Sequence, residues 1–173
     1  MIVNKFFFPG SFDPITLGHQ NIIEKVSKIT DHLIIGIGNH HEKQSLLNIK
    51  VRETLLQQSI DELKVKNMRL PLIDIIIFDG LLVDAAKNND CDVIVRGIRD
   101  TSDLNYELRM YNTNRKMNDK IETFFVATDN SLNHVSSSLV RQIYRLGGKI
   151  DALVPTSVNK YLISNVNSIT KNV

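Results

Sequence analysis

The stretch Val3-Asn4-Lys5-Phe6-Phe7-Phe8-Pro9-Gly10-Ser11-Phe12-Asp13-Pro14-Ile15-Thr16-Leu17-Gly18-His19 changes character midway. Val3 to Phe8 is a short apolar run rich in aromatic residues, the composition of a buried strand, and Pro9-Gly10 closes it with two strong punctuators. After His19 the apolar residues Ile22, Ile23, Val26 and Ile29 take the i, i+3, i+4 spacing of a helix packed on one face. The opening unit is therefore strand, loop, helix.

The same alternation continues outward. Leu33 to Ile37, Leu72 to Phe78, Val93 to Val95 and Glu122 to Ala127 are further apolar runs of strand length. Between and after them, helical patterning covers Val51 to Leu63, Leu81 to Lys87, about Ser102 to Met117, Ser136 to Leu146 and Val158 to Ile163. The polar stretch Asn39 to Ser45 has no periodicity and is expected to be an exposed loop. Continuous apolar strands alternating with helices predict an α/β fold, a doubly wound five-stranded parallel sheet with helices on both faces. In that layout ligands bind beyond the carboxyl ends of the strands, where strand order reverses.

Composition narrows the function classes. The chain has 173 residues, 42% of them hydrophobic and 23% charged, which excludes a disordered or collagenous chain. We expect one domain over 1–173, with a C-terminal helix and a polar tail from about residue 164. The net charge of +2 is too small and too evenly spread for a protein whose main partner is nucleic acid. A single cysteine, Cys91, excludes an intrachain disulfide framework and a cysteine zinc cluster, and points to a reducing, cytoplasmic setting. No apolar run reaches the roughly 18 residues of a membrane span, and no signal peptide is evident.

The loop after the first strand lacks the glycine spacing of a dinucleotide fingerprint and the lysine of a P-loop. A helix N-terminus nonetheless offers free N–H groups and a positive dipole end. Gly18 would let a phosphate approach the backbone there, and His19, in the first turn, could donate to a phosphoryl oxygen. Alone, a Gly-His pair more often just shapes a helix start. Arg96 and Arg99 read as standing just beyond the fourth strand, where a pair of arginines could clamp phosphates. Ser136-Ser137-Ser138 reads as a helix cap. His40 and His41 suggest zinc only superficially, because adjacent histidines diverge and no third ligand is near.

Pro9 to His19, Gly80-Leu81-Leu82-Val83-Asp84, Arg96-Gly97-Ile98-Arg99 through Tyr106-Glu107, and Val135-Ser136-Ser137-Ser138 occur in an order that resembles the bacterial phosphopantetheine adenylyltransferases. These are Rossmann-like nucleotidyltransferases marked by (H/T)-x-G-H. The resemblance covers roughly residues 3 to 163. It implies transfer of AMP from ATP to 4′-phosphopantetheine, giving dephospho-CoA and pyrophosphate, by direct in-line attack without a covalent intermediate. It further implies Mg²⁺ as cofactor, coenzyme A as a further candidate ligand, and a homohexamer.

By position, the resemblance makes His19, Lys43 and Arg99 the catalytic group. ATP falls to Ser11, Phe12, Gly18, His19, Gly97, Ile98, Arg99, Glu107, and the run Leu132, Asn133, His134, Val135, Ser136, Ser137 and Ser138. The acceptor falls to Ser11, Lys43, Leu82 and Arg96. No protein metal ligand is implied. Taken alone, Lys43 is a solvated charge, Leu82 a core leucine and Glu107 an exposed helix carboxylate, while Arg141 could reinforce the serines.

The chain departs from the family between Thr128 and His134, where Leu132 replaces an aromatic residue and His134 a phenylalanine. Less flat surface for the adenine ring predicts altered nucleotide affinity or base preference. Ala85 stands where a bulkier aromatic is frequent. Two alternatives remain at this stage: a related enzyme using a different acceptor, such as nicotinamide mononucleotide or a polyol phosphate, and a nucleotide-binding regulator without catalysis.

Overall fold

In the computed structural model, residues 4–39, 45–66 and 69–165 are described. Five parallel strands, β1 (Lys5–Gly10), β2 (His32–Gly38), β3 (Leu72–Phe78), β4 (Val93–Ile98) and β5 (Glu122–Ala127), form one sheet in the order β3-β2-β1-β4-β5. The connecting helices are α1 (Leu17–Val26), α2 (Ile49–Val65), α3 (Leu82–Asn88) and α4 (Thr101–Met117), followed by α5 (Ser137–Arg145) and α6 (Thr156–Ser164). This is the doubly wound parallel arrangement expected from the alternation, with β3 and β5 spanning the residues read from sequence.

Alternation along β1 divides the core in two. Phe6 and Phe8 face a large cluster with Ile22, Ile23 and Val26 of α1, the buried face of α2, and Val140, Tyr144, Val158 and Leu162 of α5 and α6. Phe7 faces the other way, onto Ile34, Ile94, and Val83, Ala85 and Ala86 of α3. Ala85 thus packs in this second core. In α2, Leu55, Leu56, Ile60 and Leu63 are buried, and at ~2 kcal/mol per side chain their burial outweighs helix propensity. Ile29, expected on the face of α1, lies past the helix end and is exposed.

β1 crosses β2 along its whole length but meets β4 only at Phe6 and Phe7. Beyond those residues the two strands part. That is why a proline can continue β1: Pro9 cannot donate to a ladder, and on the β4 side none runs there. β4 in turn continues past Val95, so Arg96 and Gly97 lie within the strand, paired with Phe125 and Val126, and only Arg99 stands beyond it. The sequence places both arginines past the strand because Arg-Gly resembles punctuation. The gap between β1 and β4 is the point where strand order reverses, and it opens at the carboxyl ends of the strands.

Candidate active site

A cavity of about 350 Å³ occupies that gap. Its floor is Phe8 to Ser11 at the end of β1, and its walls are the start of α1, the Arg96 to Arg99 turn, α4 at Asp103 and Glu107, and the start of α5. Two helices therefore present their N-termini to one space. Thr16 caps α1 and Ser136 caps α5, where its Oγ accepts the Leu139 N–H at 3.1 Å. At α1 the Leu17 N–H is already taken by Leu153 O at 3.0 Å and the His19 N–H by Thr16 Oγ1 at 3.4 Å, so the two helix starts turn chiefly their positive dipole ends to the cavity, with Gly18 and Ser136 to Ser138 in its lining.

His19 is fixed by the cap of its own helix. The Thr16 backbone N–H donates to His19 Nδ1 at 3.0 Å, with Thr16 Oγ1 at 2.9 Å from the same nitrogen. A nitrogen that accepts a backbone N–H carries no proton, so the neutral ring is the Nε2–H tautomer. Burial, then the charges of Arg99 and Arg96, lower the His19 pKa from 6.5 to about 4. Near neutral pH the imidazole is thus an uncharged donor with Nδ1 tied back.

Phe12 lies beneath this ring, 5.0 Å between centroids, with φ at +47° and only 1% exposed. A bulky residue in the left-handed region is strained, and the strain sits in the loop that shapes the cavity. Gly10 makes room for it: a Cβ there would come within 2.9 Å of the Phe12 ring. Gly18 differs. A Cβ on Gly18 would meet protein atoms only at ordinary contact distance, 3.5 Å or more, so packing does not require glycine there. At Gly97 a Cβ would stand 3.2 Å from Ile22, so this glycine seats α1 on β4 as well as lining the cavity.

Both arginines are held by carboxylates. Arg96 pairs side-on with Glu107, Nε to Oε2 at 2.7 Å and Nη2 to Oε1 at 2.5 Å, and gives Nη1 to Pro9 O at 3.2 Å. Glu107 is buried, not the exposed helix carboxylate of the residue-alone reading. Arg99 pairs with Asp103 through Nε at 2.8 Å and Nη2 at 3.0 Å, and that hydrogen bonding raises its pKa. Arg141 donates to Asp13 O at 2.6 Å.

Ser11, Gly18, His19, Arg96, Gly97, Arg99, Glu107, Val135, Ser136, Ser137 and Ser138 come together around the cavity. Six other expected residues do not line it. Phe12 is core, Leu82 packs against the second core cluster, and Leu132 packs against the first. Ile98, Asn133 and His134 also lie outside the lining. Lys43, with His40 and His41, lies outside the described residues. Both flanks of that segment are tied to the loop after β1: buried Arg52 donates to Ser11 O and Gly38 O, and buried Asp13 accepts the N–H groups of Leu46 and Leu47, each at 2.8 Å.

The sequence reading missed Asp103 and Thr128 in the lining and Arg52 behind it. Only Asp103 left a signal, the i, i+4 spacing of Arg99 and Asp103. The departure at 128–134 has its own anchoring: Asp129 accepts from Lys25 at 2.6 Å and from Asn21 at 2.8 Å. Among the described residues no group of three or more His, Cys, Asp or Glu could hold a metal ion. No described helix is long and apolar enough to cross a membrane.

Residues 7–143 match the cytidylyltransferase-like family. The chain is 37% identical over 165 residues to the phosphopantetheine adenylyltransferase of Clostridium novyi, covering 94% of this chain and 96% of that protein. It is 38% identical over 162 residues to the protein of the same name from Wolbachia of Brugia malayi, covering 94% and 93%. Among solved structures, Plasmodium falciparum nicotinic acid mononucleotide adenylyltransferase complexed with NaAD matches with a TM-score of 0.70, at 17% identity over 96% of this chain and 98% of that one. That last likeness carries the fold alone.

Proposed function

The chain belongs to the phosphopantetheine adenylyltransferases, within the cytidylyltransferase-like family, and from that premise we propose that it transfers the adenylyl group of ATP to 4′-phosphopantetheine, forming dephospho-CoA and pyrophosphate in coenzyme A biosynthesis. One observation carries the reading for this chain: a neutral His19, its Nδ1 tied to Thr16, stands between two helix N-termini and two arginines at the strand-order switch.

The chemistry follows from what these groups can do. Attack of the acceptor phosphate on the α-phosphorus of ATP is in line and direct, since no nucleophilic side chain is called for. His19 Nε2–H donates to the α-phosphoryl oxygens as charge shifts onto them, and its fixed tautomer needs no reorganisation at that moment. Arg99 and the starts of α1 and α5 hold the triphosphate, while Ser11, Arg96 and Lys43 hold the acceptor phosphate. Two repelling anions are thereby brought into one space, the positional part of the catalysis.

Mg²⁺ would enter with ATP as part of the substrate and would supply positive charge against the phosphates. The cavity's own carboxylates, Asp103 and Glu107, are engaged by arginines, which fits an ion carried by the nucleotide. The assembly we propose is a homohexamer, the compartment the cytoplasm, and coenzyme A a further ligand of the acceptor side.

Pyrophosphate release by purified protein with Mg²⁺ATP, with and without 4′-phosphopantetheine, tests the reading. Release that requires both substrates is expected. ATP binding without acceptor-dependent release, from folded protein, would overturn it. Repeating the assay with CTP and GTP asks whether Leu132 and His134 alter base preference.

A further inference from the structure

Arg96 and Arg99 come from different places, one within β4 and one beyond it, yet each is held in the same way. Each gives Nε and Nη2 side-on to a carboxylate of α4 and Nη1 to a backbone carbonyl: Glu107 and Pro9 for Arg96, Asp103 and Val135 for Arg99. A guanidinium has five N–H groups, so each keeps two for a ligand. The carboxylates stand four residues apart, one turn on the same face of α4, and both line the cavity. A planar guanidinium locked to a carboxylate has a fixed plane, and its remaining donors have a fixed direction.

A carboxylate placed directly against a triphosphate would repel it. Locked to an arginine, its charge is cancelled and it acts only by aiming the cation. We propose that Asp103 and Glu107 are positioning residues that act on different substrates: Asp103 through Arg99 on ATP, and Glu107 through Arg96 on the phosphate acceptor. This rests on the reading above for the role of each arginine, and moves Glu107 from the nucleotide to the acceptor side. Helix α4 then sets the spacing of the two anions through one turn of its backbone.

Asp103→Asn and Glu107→Gln keep the shape and remove the charge. Asp103→Asn is expected to raise KM for ATP, and the dissociation constant of ATP measured by calorimetry without acceptor, by about tenfold, the worth of one charge-assisted hydrogen bond. It should leave KM for 4′-phosphopantetheine unchanged. Glu107→Gln is expected to do the reverse, and Asp103→Glu to recover part of the loss. In an Arg99→Lys background, which keeps the charge but loses the side-on pair, Asp103→Asn should add little.

Thermal midpoints report whether each variant folds, and Arg99→Lys alone supplies the ATP arm if Asp103→Asn does not. Tighter ATP binding by Asp103→Asn would mean that the carboxylate competes with phosphate for Arg99, and would overturn the proposal. Equal losses toward both substrates, or none, would also overturn it. Calorimetry needs no turnover. If the wild-type chain released no pyrophosphate with 4′-phosphopantetheine, the reaction assignment would fall while the ATP affinity of Asp103→Asn still judged Asp103.

Discussion

His19 illustrates how one residue's chemistry is set by its neighbours' backbone. Thr16 N–H occupies Nδ1, so the donor into the cavity is Nε2–H. A group that works mainly at the transition state should matter to turnover more than to binding. His19→Ala is accordingly expected to lower kcat by about 10²–10³, the usual loss for one preorganised donor, with a much smaller change in ATP affinity by calorimetry. Comparable losses in both would make His19 a ground-state ligand. The same residue predicts a pH dependence of stability. Its pKa is about 4 folded against 6.5 as the ordinary value. Between those values the unfolded chain binds a proton that the folded chain refuses, so this contribution to stability is present above pH 6.5 and is lost as pH falls toward 4. Chemical denaturation of the ligand-free protein across that window, against His19→Gln, measures it: the variant's stability should fall less steeply. Parallel curves would assign the acid sensitivity elsewhere.

At the scale of elements, what was legible depended on whether a segment's partners lay within its own pattern. β3 and β5 could be read because their apolar runs end at turn residues. The end of β4 could not: Arg96 and Gly97 stay in the ladder opposite Phe125 and Val126, and the partner of the Arg96 charge, Glu107, comes eleven residues later. Ser136 was legible as a cap and Gly18-His19 as a helix start. That both helix starts face one cavity follows from strand order, which sequence spacing does not encode. The contrasting fates of Leu82 and Arg96 make the same point: motif position marked both, and only Arg96 lines the cavity. Gly36 in β2 is a further element whose reason appears only in three dimensions. A Cβ there would collide with the Phe7 ring and stand 3.1 Å from Phe78, across the thinner face of the sheet. Gly36→Ala is expected to destabilise by about 1–3 kcal/mol, as overpacking does, and Phe7→Leu to recover part of that. Urea unfolding of the two single variants and the double variant gives the coupling. Additive effects would mean that the strand relaxes by another route.

The whole molecule is unequally covered. On the side of α1, α2, α5 and α6 the sheet lies under a deep core, while on the side of α3 and α4 only a small cluster is buried. Of the seventeen residues of α4, only Glu107 and Asn114 are buried. Tyr106 is 55% exposed, and Leu81 at the start of α3 is 53% exposed, with Leu108 and Met117 also open. Single exposed apolar side chains are ordinary, but a helix with almost no buried apolar face is weakly held by its own chain. A second copy could supply the missing contact, and closed symmetric assemblies satisfy such faces without leaving one open. The proposed hexamer therefore makes a definite prediction for α4. Light scattering on the full chain should give six times the monomer mass, and Leu108→Glu, which places a charge on this helix away from the cavity lining, should lower that mass. Because α4 also carries Asp103 and Glu107, the dissociated variant should bind ATP more weakly even though none of its cavity residues has changed. A monomer at micromolar concentration, or a hexamer indifferent to Leu108→Glu, would leave α4 held by its own chain and separate assembly from the site.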